Sequence, residues 1–168
     1  MHRTKAFTLV EILIVVVLLG VLAAIVIPSF ARGSIRAREV ALVTDVKLLR
    51  RFVLVYTSHH LEVPPGYPNG DTTAPPSGAV FRDQAMLSSN AQGETAPRGT
   101  AGFRYGPYLS RIPANPFNKL ATVQVLGNGE DFPAAADGSH GWICKPVTRE
   151  VRPDNIGTDD RGTPYYDY

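Results

Sequence analysis

Residues 7–27 form a run of 21 positions that are all apolar, Gly or Thr except one, Glu11. No other feature of the chain constrains its fold so strongly. Coiled at about 1.5 Å per residue, the run covers roughly 31 Å, close to the hydrocarbon thickness of a bilayer. A carboxylate in such a helix costs on the order of 3 kcal/mol at the bilayer centre, which directs attention to a partner. No further charge occurs up to Phe30. Two sources of a cation remain: the leader residues His2, Arg3 and Lys5, or a positive group brought by another molecule. A cleaved secretory signal is a poor fit, because its apolar region runs about 7–15 residues and then gives way to polar sequence. Here Ala23-Ala24 is followed by more apolar residues.

The residues around Glu11, Lys5-Ala6-Phe7-Thr8-Leu9-Val10-Glu11, resemble the class III signal of type IV pilins and type II secretion pseudopilins. The resemblance implies cleavage by a prepilin peptidase between Ala6 and Phe7, then N-methylation of Phe7. Residues 1–6 are then a removed leader and Glu11 is the fifth residue of the mature chain. The family usually carries Gly where this chain has Ala6; both are small enough for a narrow peptidase site. The resemblance also supplies a cation. The new amine of Phe7 on one copy can meet Glu11 on a neighbour, and a mispaired subunit leaves two charges uncompensated in an apolar setting. The pair sets register. Orientation with the N-terminus cytoplasmic and the head periplasmic follows from the resemblance, not from counting charges. Arg32, Arg36 and Arg38 beyond the run outnumber Arg3 and Lys5 before it.

After the membrane segment 7–27, Pro28 is expected to interrupt the helix, since it has no amide hydrogen and crowds the preceding turn. Gly20 is a second weak point. The stretch between them is positioned for the loosening on assembly that the family implies. Helical periodicity then resumes as an amphipathic continuation over 28–61. Ile35, Leu42, Val46, Leu49, Val53 and Tyr56 recur at helical spacing and mark the face that carries a head. Lys47, Arg50 and Arg51, interleaved with Glu39 and Asp45, read as a solvated face. His59 and His60 point about 100° apart on a helix and cannot chelate as an i,i+4 pair does.

The chain's 14 Pro and 15 Gly, most of them within the head, 62–168, mark that head as loop-rich. It divides into a loop region 62–105, an extended segment 106–117, an antiparallel sheet over 122–153 and an acidic tail 154–168. A short helix is expected over 81–87 with Phe81, Ala85 and Met86 inward, and 88–102 as an exposed connection. Gly106-Pro107-Tyr108-Leu109 through Asn115-Pro116-Phe117 resembles a segment of major-type pseudopilins that leads from the helix to the sheet. Its prolines favour an extended path. Residues 122–126 are strand-like, and 141–145 with 149–152 flank Pro146-Val147-Thr148 as a hairpin. Trp142, Cys144 and Val151 are candidate core positions. His140 lies four residues from the single cysteine, Cys144, roughly 13 Å away on an extended strand, too far for a Cys–His pair.

The expected architecture is α+β: a long N-terminal helix packed on a small, loop-rich antiparallel sheet, as in pilins. No enzyme constellation appears. The expected role is a structural subunit of a type II secretion pseudopilus. Its partners would be other copies, other pseudopilins, the prepilin peptidase, an inner-membrane assembly platform and the lipid bilayer. A DNA-uptake or surface pilin that binds or adheres is the alternative. Nucleic acid is disfavoured, because the last 44 residues hold eight acids against four Lys/Arg, and the net charge of +2 falls to zero without Arg3 and Lys5. The cofactor expectation is none. Major pseudopilins nevertheless carry a calcium-binding loop near the C-terminus, and that resemblance makes Asp154, Asp159 and Asp160 candidate ligands. This tail is shorter than theirs and ends in Tyr165-Tyr166-Asp167-Tyr168; its other reading is a solvated acidic loop.

Overall fold

The computed structural model of the chain describes residues 8–168, the side chains of 25–32 excepted. The calls at Ala6 and Phe7 therefore lie outside the described residues. One helix, α1, spans Leu9–His59. It runs on through Gly20 and Pro28, so the expected interruption at Pro28 is corrected. A proline deletes one amide donor, while the bonds on either side of it in a 51-residue helix remain. Among the described residues no helix is long and apolar enough to cross a membrane; the expected span 7–27 extends past the described side chains at both ends.

By compactness the chain divides into residues 1–38 and residues 39–168. In the first unit the described apolar side chains from Leu9 to Leu22 are all exposed. The second unit forms around the apolar stripe of α1. Leu42, Val46, Leu49, Val53 and Tyr56 are all buried there, as their spacing predicts. Ile35, the first residue of that stripe, is exposed. The helix ends at His59, two residues before the expected stop. Leu61 and Glu62 turn into the left-handed region with φ of 54° and 64°, and the Glu62 amide bonds back to the Thr57 carbonyl at 3.2 Å, a Schellman-type stop.

Helix α2 spans Gly78–Met86. It starts three residues earlier than expected because Ser77 caps it, its hydroxyl accepting from the Val80 amide at 3.3 Å. Phe81 and Ala85 point inward as expected, whereas Met86 stays exposed and Gln84 is buried instead. The Gln84 amide group donates to the carbonyls of Tyr67 and Gly93 and accepts from the Gly66 amide at 2.8 Å. That threefold satisfaction is why a polar side chain is tolerated inside. Residues 88–102 are not simply an exposed connection. Strands β1 (Ser88–Ser89) and β2 (Thr95–Ala96) pair antiparallel, and both serines are buried.

The main sheet has the order β3 (Val123–Val125), β4 (Trp142–Lys145), β5 (Glu150–Pro153). The β4–β5 hairpin is antiparallel as expected, turning through a 3-10 segment at Pro146–Thr148 and a left-handed Arg149. The β3–β4 pair is parallel, which corrects the all-antiparallel expectation. The intervening residues 126–141 are long enough to carry the chain back to the same end of the sheet. Central β4 is buried on both faces. Trp142 and Cys144 join the cluster with α1 and α2, while Ile143 joins Leu126 and Tyr166 on the other side. Gly141 opens β4 where no side chain fits, since a Cβ there would lie 2.2 Å from the Leu120 carbonyl oxygen. The segment 106–117 packs beneath this sheet through Leu109 and Ile112, with Tyr108 and Phe117 half-buried.

Candidate functional site

Two groups of residues carry the chemistry expected of the chain, and they lie in different units. The first is the start of α1. Thr8 is the residue before the helix, and Glu11 is its third residue. The Glu11 Oε2 accepts from both the Thr8 amide and the Thr8 hydroxyl, each at 3.0 Å. In return the Thr8 Oγ1 accepts from the Glu11 amide at 3.2 Å. This is a reciprocal capping box, which satisfies amides that the first turn of a helix otherwise leaves bare. A carboxylate at that end also faces the positive pole of the helix dipole. The Thr-x-x-Glu spacing in the sequence is the signal of this cap, beside the charge that calls for a cation. A partner within the same helix turn was missed.

Exposed side chains at Leu9, Val10, Ile12 and Leu13 surround Glu11. Gly20 sits within unbroken helix, and a Cβ added there meets nothing within 4 Å. Its described surroundings therefore do not demand glycine; the residue lowers helix propensity by about 1 kcal/mol relative to alanine.

The second group is the acidic tail with the loop it touches. Asp154 is buried at 1% exposure. Its Oδ1 accepts from the amides of Asp137 and Gly138 at 3.0 and 3.1 Å, and its Oδ2 from the His140 amide at 2.9 Å. Asp159, also buried, accepts from the amides of Arg161 and Thr163 at 2.8 Å each and from the Tyr168 hydroxyl at 3.0 Å. The Thr163 amide, foremost, holds its carboxyl below the ordinary range. Asp160 is exposed. Among the described residues no three His, Cys, Asp or Glu side chains converge to hold a metal ion. The tail is therefore not a solvated loop at Asp154 and Asp159; both acids organise backbone. Tyr165 and Tyr166 are buried too, and the Tyr165 hydroxyl donates to Glu39 Oε1 at 2.8 Å, tying the tail to α1.

Asparagines complete this scaffold. Asn115 is fully buried, donates to the Gly141 carbonyl at 2.9 Å and to Asn155 Oδ1, and accepts from the Phe117 amide. Asn118 donates to the carbonyls of His140 and Asp154. The extended segment is thereby stitched to β4 and the tail. Cys144 is fully buried, and that burial pushes its thiol up to about 12. A thiol held in its neutral form is no nucleophile.

A histidine and aromatic cluster at the head end of α1 was missed as well. His60 is buried, stacks on Tyr56 with ring centroids 3.7 Å apart, and lies near Tyr105 and Tyr108. Its Nδ1 donates to the Tyr56 carbonyl at 2.7 Å, and its Nε2 bonds the Ser89 hydroxyl at 2.9 Å. Exposed His59 bonds the Tyr108 hydroxyl at 3.0 Å.

Comparison with known proteins agrees with this geometry. Residues 1–27 match the prokaryotic N-terminal methylation motif. The chain is 28% identical to the type II secretion system core protein G of Vibrio cholerae over 146 residues, covering 84% of this chain and 86% of that one. Against the core protein G of Escherichia coli it is 26% identical over 141 residues, 83% and 77% of the two chains. The type IV major pilin protein PilA of Myxococcus xanthus is 43% identical over 47 residues, 28% of this chain and 21% of the pilin. No solved structure matches. The chain thus carries the methylation motif and is homologous to type II secretion core protein G over most of its length.

Proposed function

We propose that this homologue of core protein G is a structural subunit of a type II secretion pseudopilus. Prepilin peptidase removes residues 1–6, Phe7 is N-methylated, and residues 7–27 anchor the chain once in the bacterial inner membrane. The N-terminus is cytoplasmic and the head periplasmic. An inner-membrane platform polymerises it with other copies and other pseudopilins into a filament that drives protein export. Gly20 and Pro28 bound the part of α1 that loosens as a subunit leaves the lipid. The chain works by assembly rather than catalysis, and no cofactor is assigned, since Asp154 and Asp159 already spend their oxygens on amide and hydroxyl donors.

The observation that carries this reading is Glu11 itself. Its carboxylate is fixed in the first turn of an apolar, exposed helix, inside the matched motif. A subunit that must find one register needs a fixed charge for the amine of Phe7 on its neighbour. The test is Glu11→Ala in cells that assemble the native chain. Membrane insertion is retained and filaments are lost; filaments at native yield rule the reading out.

A further inference from the structure

We propose that the outward face of α1 within the head docks onto an acid-rimmed groove on the head of a second copy of this chain. The inference rests on the filament reading above and names the surface by which heads join. Opposite the buried stripe, Val40 and Leu54 are 67% and 58% exposed. Leu48 and Val55 on the same side of the helix are exposed as well. Lys47 and Arg51, one turn apart on this face, are exposed and make no hydrogen bond or ion pair among the described residues. The face is thus apolar, with two cations that no acid of the same copy reaches.

The opposite character occurs elsewhere on the head. Ala134, Ala135, Ala136, Ile156, Pro164 and Tyr166 line an open groove of about 300 Å³, with Asp167 in its wall. Ile156 is exposed. The loop that supplies the three alanines also carries exposed Glu130, Asp131 and Asp137. Among the described residues Asp131 is ion-paired with Lys145 at 2.7 Å, while Glu130 and Asp137 form no salt bridge. An apolar face bearing two cations and an apolar groove bearing acids are complementary in sign. They are different patches of one chain, so their contact is head-to-tail. Such contacts close into rings or continue as open helical polymers. A second copy is therefore the occupant to which the surface commits.

The experiment uses the full chain in cells that assemble it, with Lys47→Cys and Ala135→Cys introduced together; buried Cys144 does not compete. Oxidation is expected to give a ladder of cross-linked dimers and larger species. The ladder is absent from either single variant and from the Glu11→Ala background. In parallel, Lys47→Glu with Arg51→Glu lowers filament yield by about tenfold or more, equivalent to about 1.4 kcal/mol per contact, with the melting temperature unchanged. If filaments form and depend on Glu11, yet no ladder appears or the charge reversal assembles at native yield, this inference falls and the filament reading stands. If Lys47→Cys in the unassembled subunit is shielded from a water-soluble thiol reagent by phosphatidylglycerol vesicles, the face belongs to lipid and the inference also falls. Absence of any filament from the native chain removes both.

Discussion

Thr8 and Glu11 cap one another across the first turn of α1, the acid taking two bonds from the threonine and returning its amide. The carboxylate in the apolar run is therefore neither stray nor waiting bare for a cation. It completes the N-terminus of its own helix with Oε2, and Oε1 accepts no bond among the described residues. That division suits the proposed assembly: one oxygen holds the side chain still and leaves the other for the amine that the proposal brings from a neighbouring Phe7. Fixing the geometry beforehand spares the ordering entropy that a free carboxylate would lose on docking.

Removing the cap should weaken assembly without abolishing it. Thr8→Val loses the hydroxyl's two roles, worth about 1 kcal/mol for a helix cap, and filament yield should fall several-fold. Thr8→Ser keeps the oxygen and should restore it. Yield measured on sheared filaments checks the pair, and equal yields for valine and serine would show that the cap is irrelevant.

Asp154 is expected to matter for the head rather than for a metal. Asp154→Ala strands three amides around a buried position, each a bond to a charged acceptor. The loss should be about 3 kcal/mol or more, seen as a lower melting temperature of the detergent-solubilised chain. Chelation of divalent cations should leave the native melting temperature unchanged.

His60 makes the head sensitive to mild acid. Burial foremost lowers its pKa, with exposed His59 adding to the effect, against support from the Tyr56 carbonyl. Tyr56, Tyr105 and Tyr108 face it from α1 and the segment after β2, with the Ser89 hydroxyl at Nε2. The unfolded chain, with its imidazole near 6.5, takes up the proton first as pH falls. Stability is therefore complete above that value and declines below it. Urea unfolding between neutral pH and about pH 5 should show this slope, and His60→Gln should flatten it.

Much of the fold was legible because it rests on period. The stripe from Leu42 to Tyr56 is the core face of α1, and residues 141–152 form the hairpin, since alternation and turn residues report local geometry directly. Other features depend on contacts distant in sequence. The parallel pairing of β3 with β4 needs the return through residues 126–141, which no local pattern encodes. Buried Gln84, Ser89, Asn115 and Asp154 look like surface residues in a sequence. Gln84, Asn115 and Asp154 are inside because particular backbone groups require a partner there, and Ser89 because the ring of buried His60 does. At the site, the motif around Glu11 is plain in the sequence, whereas its charge draws attention away from the capping role that the Thr8 spacing also encodes.

The account's central claim is that this chain is a processed, filament-forming subunit, and its mature N-terminus tests that most directly. Mass spectrometry of the membrane-extracted protein should find a chain beginning at N-methylated Phe7, with residues 1–6 absent. A mature chain that still begins at Met1 would contradict it, because Phe7 would then have no free amine for Glu11 to meet on its neighbour.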